Sequence, residues 1–137
     1  MYAVGAEHPL KEPCVRILFL VAEQPGAFVT DAEALQELVH RYVAQRRWRE
    51  GREVFQRFAT LMRGRVEAVR AADVEHAAGL ADRYTELSAR DLIHAAVMLR
   101  LGVRQIVSAD MGFGRIAEVQ RLDPADVAGW GASLAGQ

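Results

Sequence analysis

The stretch that most limits how this chain can fold is residues 88 to 113, SARDLIHAAVMLRLGVRQIVSADMGF. Ser88 is placed to cap a helix whose third residue is Asp91. The run from Leu92 to Leu99, interrupted only by His94, makes that helix apolar on most sides. Arg100, Leu101 and Gly102 end it, the glycine supplying the left-handed turn that a helix C-terminus favours. A strand is predicted over Val103 to Ser108, closed by Asp110. In a layered α/β unit a helix and the strand after it run in opposite directions, so the helix start and the strand end share an edge. Asp91 and Asp110, nineteen positions apart, are therefore expected to be neighbours in space. Two carboxylates at the carboxyl edge of a parallel sheet are suited to a hard divalent cation.

A chain of 137 residues is one domain, large enough to bury a core, and its balance of apolar and charged residues argues against disorder. The single Cys14 cannot form an internal disulfide, so the fold does not depend on an oxidising compartment. Its apolar helical neighbours suit a structural thiol better than a nucleophile. The longest early apolar run, Ile17 to Ala22, is too short to span a membrane and follows no basic start, so a cytoplasmic location is the default.

The net charge of -1 is unevenly spread. Arginines 41, 46, 47, 49, 52, 57, 63 and 65 stand against only Glu50 and Glu53, which leaves +6 in that stretch and -7 in the remainder. Interleaved with Trp48, Phe55 and Phe58, this segment suits phosphates or an acidic partner, or is simply a solvated helix face. Sixteen arginines to one lysine also fit a bias in genome base composition.

Read in order, Pro9 opens a helix running to about Glu23, and Gln24, Pro25 and Gly26 break it. Ala27 to Val29 reads as a connection with extended character. Thr30 is predicted to cap the helix TDAEALQELVHRYV, with Glu33 completing a capping box and Leu35, Leu38, Val39 and Tyr42 forming its apolar stripe. Periodicity puts Glu37 on the solvent side, one turn before Arg41. Further expectations are a helix over Glu50 to Leu61, a weak strand at Val66 to Val69, and a helix over Asp73 to Glu86 with Val74, Ala77, Ala78, Ala81 and Tyr84 inward. A short helical turn at Gly112 to Ala117, an edge strand at Val119 to Leu122 and a frayed tail from Gly131 complete the chain.

No phosphate-cradling glycine loop, zinc ligand set or nucleophile elbow is present in the sequence. His94, one turn after Asp91, reads either as a packed histidine or as a catalytic group. Ser88-x-x-Asp91 is itself a capping box, and Asp110 alone is a good turn residue. As a pair the two acids are more telling, because carboxylates at the mouth of a buried helix repel unless a cation or proton lies between them.

The segments ALQELVHRY, SARDLIHAAVMLRLG, IVSADMGFGRI and RLDP together resemble the PIN-domain ribonucleases, and within them the VapC-like toxins of toxin-antitoxin pairs. The resemblance runs from about Tyr2 to Trp130. It implies a three-layer α/β sandwich, a parallel sheet flanked by helices, forming one domain over residues 1 to 130 with a flexible tail at 131 to 137. It also implies an acidic cluster binding Mg2+ or Mn2+, at positions matching Glu37, Asp91 and Asp110; the resemblance, not the helical wheel, selects Glu37. Two departures stand out. The family's first acidic residue lies at the end of a central first strand that should precede Met1, so a misassigned start or a truncation is expected, and Gly114 stands where many relatives carry another acid.

The resemblance thus implies a metal-dependent endoribonuclease leaving a 5'-phosphate, a homodimer, and an antitoxin partner whose segment enters the active-site groove. Two alternatives share the fold: a catalytically impaired module that only engages an antitoxin or other protein, and a PIN nuclease of RNA maturation or DNA metabolism.

Overall fold

Backbone hydrogen bonding sorts residues 2–136, those described in the computed structural model, into helices joined by short parallel strands. They form two units, residues 2–67 with 124–136, and Ala68–Asp123.

In the first unit, helix α1 spans Lys11–Glu23. It begins two residues later than Pro9 suggested, because Leu10 N donates to His8 Nδ1 and Lys11 N to the His8 carbonyl, closing a turn ahead of the helix. Pro13 occupies the first helical turn instead, where a missing N–H costs nothing. A 3-10 turn at Pro25–Ala27 follows the break expected at Gln24, Pro25 and Gly26, and Phe28 beyond it is extended, as expected for the connection.

Strand β1, Thr30–Asp31, leads into α2, Ala32–Ala44. The cap of α2 is Asp31, not Thr30. Thr30 is held in the β1 ladder, its N–H donating to the Arg65 carbonyl at 3.0 Å, while Asp31 accepts from Ala34 N at 3.0 Å. Leu38 and Tyr42 are buried as the periodicity requires.

Helix α3, Trp48–Leu61, starts two residues earlier than predicted and lies against α2. Strand β2 is confined to Val66–Glu67 and runs parallel to β1, with Thr30 opposite Val66. Helix α6, Val127–Ala135, continues through the residues expected to fray, and Gly131 sits against Leu20 of α1, where a Cβ would lie 3.1 Å from its Cδ1.

Gly51 of α3 packs closely against Tyr42 of α2. A Cβ on Gly51 would fall 2.2 Å from Tyr42 Cγ and 2.4 Å from its Cβ. Alanine improves helix propensity by about 1 kcal/mol, but overpacking a buried contact typically costs about 1–3 kcal/mol, and these atoms lie near the backbone. Gly51→Ala is therefore expected to lower the melting temperature by several degrees, read by thermal denaturation; an unchanged or raised value contradicts the packing described.

The second unit is built on α4, Ala71–Ala81, and α5, Ala89–Leu101. Helix α4 stops five residues short of Glu86. Its inward face is Asp73, Ala77 and Leu80, while Val74, expected inside, is 49% exposed. Spacing alone leaves the two faces of an alanine-rich helix hard to tell apart, and the larger Leu80 decides which one turns in. Leu80, Leu92, Ala95, Ala96, Phe113 and Ile116 form the core, and the two alanines let α4 approach α5 closely.

Asp73 is 3% exposed and answers Arg100 of α5, whose Nε donates at 2.8 Å. The same carboxylate accepts from Arg70 N at 2.8 Å, and Arg100 also donates to the Ala68 carbonyl.

Helix α5 ends at Gly102, in the left-handed conformation at φ 70° that its position requires. Strand β3, Gln105–Val107, is shorter than predicted and parallel to β4, Gln120–Leu122, with Gln105 opposite Gln120. Between them lies a 3-10 turn at Met111–Arg115. Parallel pairs, each joined through helical segments, make this an α/β architecture.

Candidate active site

Two segments meet in the second unit. The first is the start of α5, where Ser88 has extended backbone and its Oγ accepts from Asp91 N at 3.2 Å. That cap sets the phase of the helix: Leu92 and Ala95–Met98 are buried, which brings Asp91 to the rim, half-buried.

The second is the segment leaving β3. Ser108 Oγ accepts from Asp110 N at 3.0 Å, and Asp110 Oδ1 accepts from Gly112 N at 2.8 Å, capping the turn that follows. A Cβ on Gly112 would lie 2.5 Å from Leu87 Cδ2, the far end of a side chain that would have to shift aside. Asp110 is thereby held in place at an exposed position.

The structure brings Asp91 and Asp110 together, within hydrogen-bonding reach of each other. Burial pushes the Asp91 carboxyl above the ordinary aspartate range. The Ser88 hydroxyl pulls it back, the negative charge of Asp110 and the hydrogen bond shared with it push it up again, and His94 opposes them weakly. Repulsion between two carboxylates favours a proton or a cation between them. His94, half-buried one turn along α5, has its ring 6.4 Å from that of the buried Phe113, so packing and proximity to Asp91 coexist there.

Glu37 belongs to the first unit, in the second turn of α2. It is half-buried and has a polar or electrostatic partner. Asp31, which caps the same helix, is 6% exposed, a buried acid that the capping-box pattern at Thr30 concealed. Among the described residues, no group of three or more His, Cys, Asp or Glu side chains is gathered as a metal ion would require.

The donor chemistry of the Asp91–Asp110 pair nonetheless fits a hard cation. Mg2+ commonly takes one or two carboxylates and keeps several of its waters, and the upward push on Asp91, which comes first from burial, includes a repulsion by Asp110 that a cation relieves. Cys14 is a different case: burial raises its thiol above the ordinary value, which lowers its thiolate fraction.

A family model described as PIN domain matches residues 1–119. The chain is 42% identical over 125 residues to VapC ribonuclease Mb1869c of Mycobacterium bovis, covering 89% of this chain and 92% of that protein. Ribonuclease VapC13 of Mycobacterium tuberculosis matches at the same identity and coverage. Ribonuclease VapC7 of M. tuberculosis is 34% identical over 134 residues, covering 94% of this chain and 88% of that protein. No solved structure gives a significant match.

Proposed function

Since this chain belongs to the PIN domain family, we propose that it is an endoribonuclease of the VapC kind, hydrolysing RNA phosphodiester bonds at the Asp91–Asp110 pair. The observation that carries this reading is the meeting of two carboxylates at the rim of the second unit, one of them pushed toward its protonated form by burial and by the other. Its likeness over nearly the whole chain to proteins named as VapC ribonucleases supports the reaction class.

Asp91 and Asp110 would hold the cation, Mg2+ or Mn2+; Glu37 is an acid that the family resemblance alone assigns. When bound, the ion supplies neutralisation of phosphate charge and a lowered pKa for water. The chain's own share is positional. Ser88 fixes the backbone at Asp91, and the Gly112 N–H holds one oxygen of Asp110, so the carboxylates need little rearrangement to act. In the reaction proposed, a water oxygen bonds to phosphorus in line with the leaving 3' oxygen. The phosphorus–O3' bond breaks, the attacking water gives up a proton and the 3' oxygen takes one up, leaving a 5'-phosphate and a 3'-hydroxyl.

The same resemblance supports a homodimer, an antitoxin as protein partner, a cytoplasmic setting and a single domain over residues 1–130. Among the described residues no helix is long and apolar enough to cross a membrane.

Titration of the protein with Mg2+ tests the cation-binding part of this reading. A ligand that binds only the folded state adds about 2.7 kcal/mol at a hundred times its Kd, so the melting temperature is expected to climb with Mg2+. A melting temperature indifferent to both Mg2+ and Mn2+ contradicts a metal at this pair.

A further inference from the structure

We propose that the corner between α2 and α3 is a docking surface for the phosphate backbone of single-stranded RNA. Of the eight arginines between residues 41 and 65, Arg65 is turned inward, its guanidinium donating to the carbonyls of Pro25, Phe28 and Leu61; the other seven are exposed. The two glutamates of the stretch are already engaged, Glu50 by Arg47 at 2.6 Å and Glu53 by Arg57 at 2.5 Å. The positive excess is therefore carried outward by Arg41, Arg46, Arg49, Arg52 and Arg63.

The arginines at the start of α3 do not serve that helix, unlike Arg41, which lies in the last turn of α2 where a cation is favourable. Arg46 and Arg47 immediately precede α3, and Arg49 and Arg52 lie in its first turns, where a cation opposes the helix dipole and a neutral residue would suit the fold better. A polyanion from outside accounts for them.

The corner is also rigid. It turns through Gln45, Arg46 and Arg47, with Arg46 in the left-handed region at φ 54°, Arg47 N donating to the Tyr42 carbonyl at 2.8 Å, and Gly51 packed on the Tyr42 side chain. Arginines on a fixed frame lose less freedom when phosphates arrive. Half-buried Trp48, edge-on to Phe55, sits among them and keeps some ring surface on which a base can stack.

The choice of RNA as the polyanion rests on the ribonuclease reading, and the experiment keeps the two apart. Binding of a short, fluorescently labelled, mixed-sequence single-stranded RNA is measured against salt concentration in a chelating buffer, so that affinity is read without cleavage. Wild-type protein is compared with the triple variant Arg46→Gln, Arg49→Gln, Arg52→Gln and with its lysine counterpart, all three checked for unchanged melting.

Each phosphate contact to a single strand contributes about 0.7 to the slope of log affinity against log salt, so the glutamine variant is expected to lose about 2 from that slope and roughly 10- to 100-fold in affinity at 0.1 M salt. The lysine variant is expected to stay close to wild type. Wild-type affinity and slope in the glutamine variant overturn the proposal. So does equal loss in the glutamine and lysine variants, which marks a structural role, and so does loss of binding to polyglutamate but not to RNA, which assigns the corner to an acidic protein. Failure of the ribonuclease reading looks different: RNA is bound at this corner but stays intact when Mg2+ is added.

Discussion

Asp91→Asn is expected to reduce RNA cleavage at least about 100-fold while leaving the protein folded and more resistant to heat at neutral pH. The rate estimate follows from metal sites in general, where losing even an outer-shell partner of a ligand costs 10–100-fold. The stability gain follows from the direction in which the Asp91 carboxyl is pushed. It is raised in the folded protein, by burial first and by Asp110 as well. Between the ordinary aspartate pKa and that higher value the folded state binds more protons than the unfolded chain, so stability falls as pH rises through the window. At neutral pH the folded protein carries the cost of this partly buried charge and of its repulsion by Asp110 in full, and an amide at 91 removes both.

Two measurements decide the matter: RNA cleavage with Mg2+, and melting in chelator across pH. Undiminished cleavage by Asp91→Asn refutes the site. A melting temperature no higher than wild type at neutral pH refutes the electrostatic account of the pair.

The second large effect lies in the same unit, on α4 and α5. Arg100→Met is expected to destabilise the fold by about 3–5 kcal/mol, the usual consequence of stranding a buried carboxylate. Asp73 is 3% exposed and Arg100 is its salt-bridge partner. Hydrogen bonding from Arg100 holds the Asp73 carboxyl below its ordinary value despite burial, with the Arg70 amide helping. A depressed carboxyl stabilises the fold above the ordinary aspartate pKa, and that stabilisation is lost as pH falls through the lower, folded-state value.

The gap between wild type and Arg100→Met is thus expected to be full at neutral pH and to narrow in acid. Adding Asp73→Leu to Arg100→Met should recover much of the loss, since an apolar pair of similar bulk often replaces a buried ion pair without penalty. Urea denaturation of the three proteins measures this, and a loss below about 1 kcal/mol in the single variant shows that the carboxylate finds water or another donor.

The second unit was the more legible part of the sequence because its signals are local. A serine three residues before an acid, a glycine where a helix must turn left-handed, and an aspartate two residues after a serine each act through bonds spanning two to four residues. From these follow the helix, the strand direction and the meeting of Asp91 with Asp110. The cap of α2 was misplaced because Thr30 and Asp31 are both good caps, and only the strand pairing of Thr30 with Val66 settles the choice. The Asp73–Arg100 pair joins residues 27 positions apart, and nothing local marks either one. Glu37 was assigned by family resemblance alone, because helical periodicity says which face of α2 a residue lies on and nothing about what that face meets.

Asp110 does two jobs with separable chemical requirements. Its role at the turn Met111–Arg115 needs only one oxygen to accept from Gly112 N, which asparagine supplies equally well. Only the proposed nuclease role needs the charge. In the genetic code the two residues differ by a single purine transition at the first base of the codon. A cell burdened by this protein therefore has a short evolutionary exit, in which one nucleotide change disarms it yet leaves no misfolded product to clear.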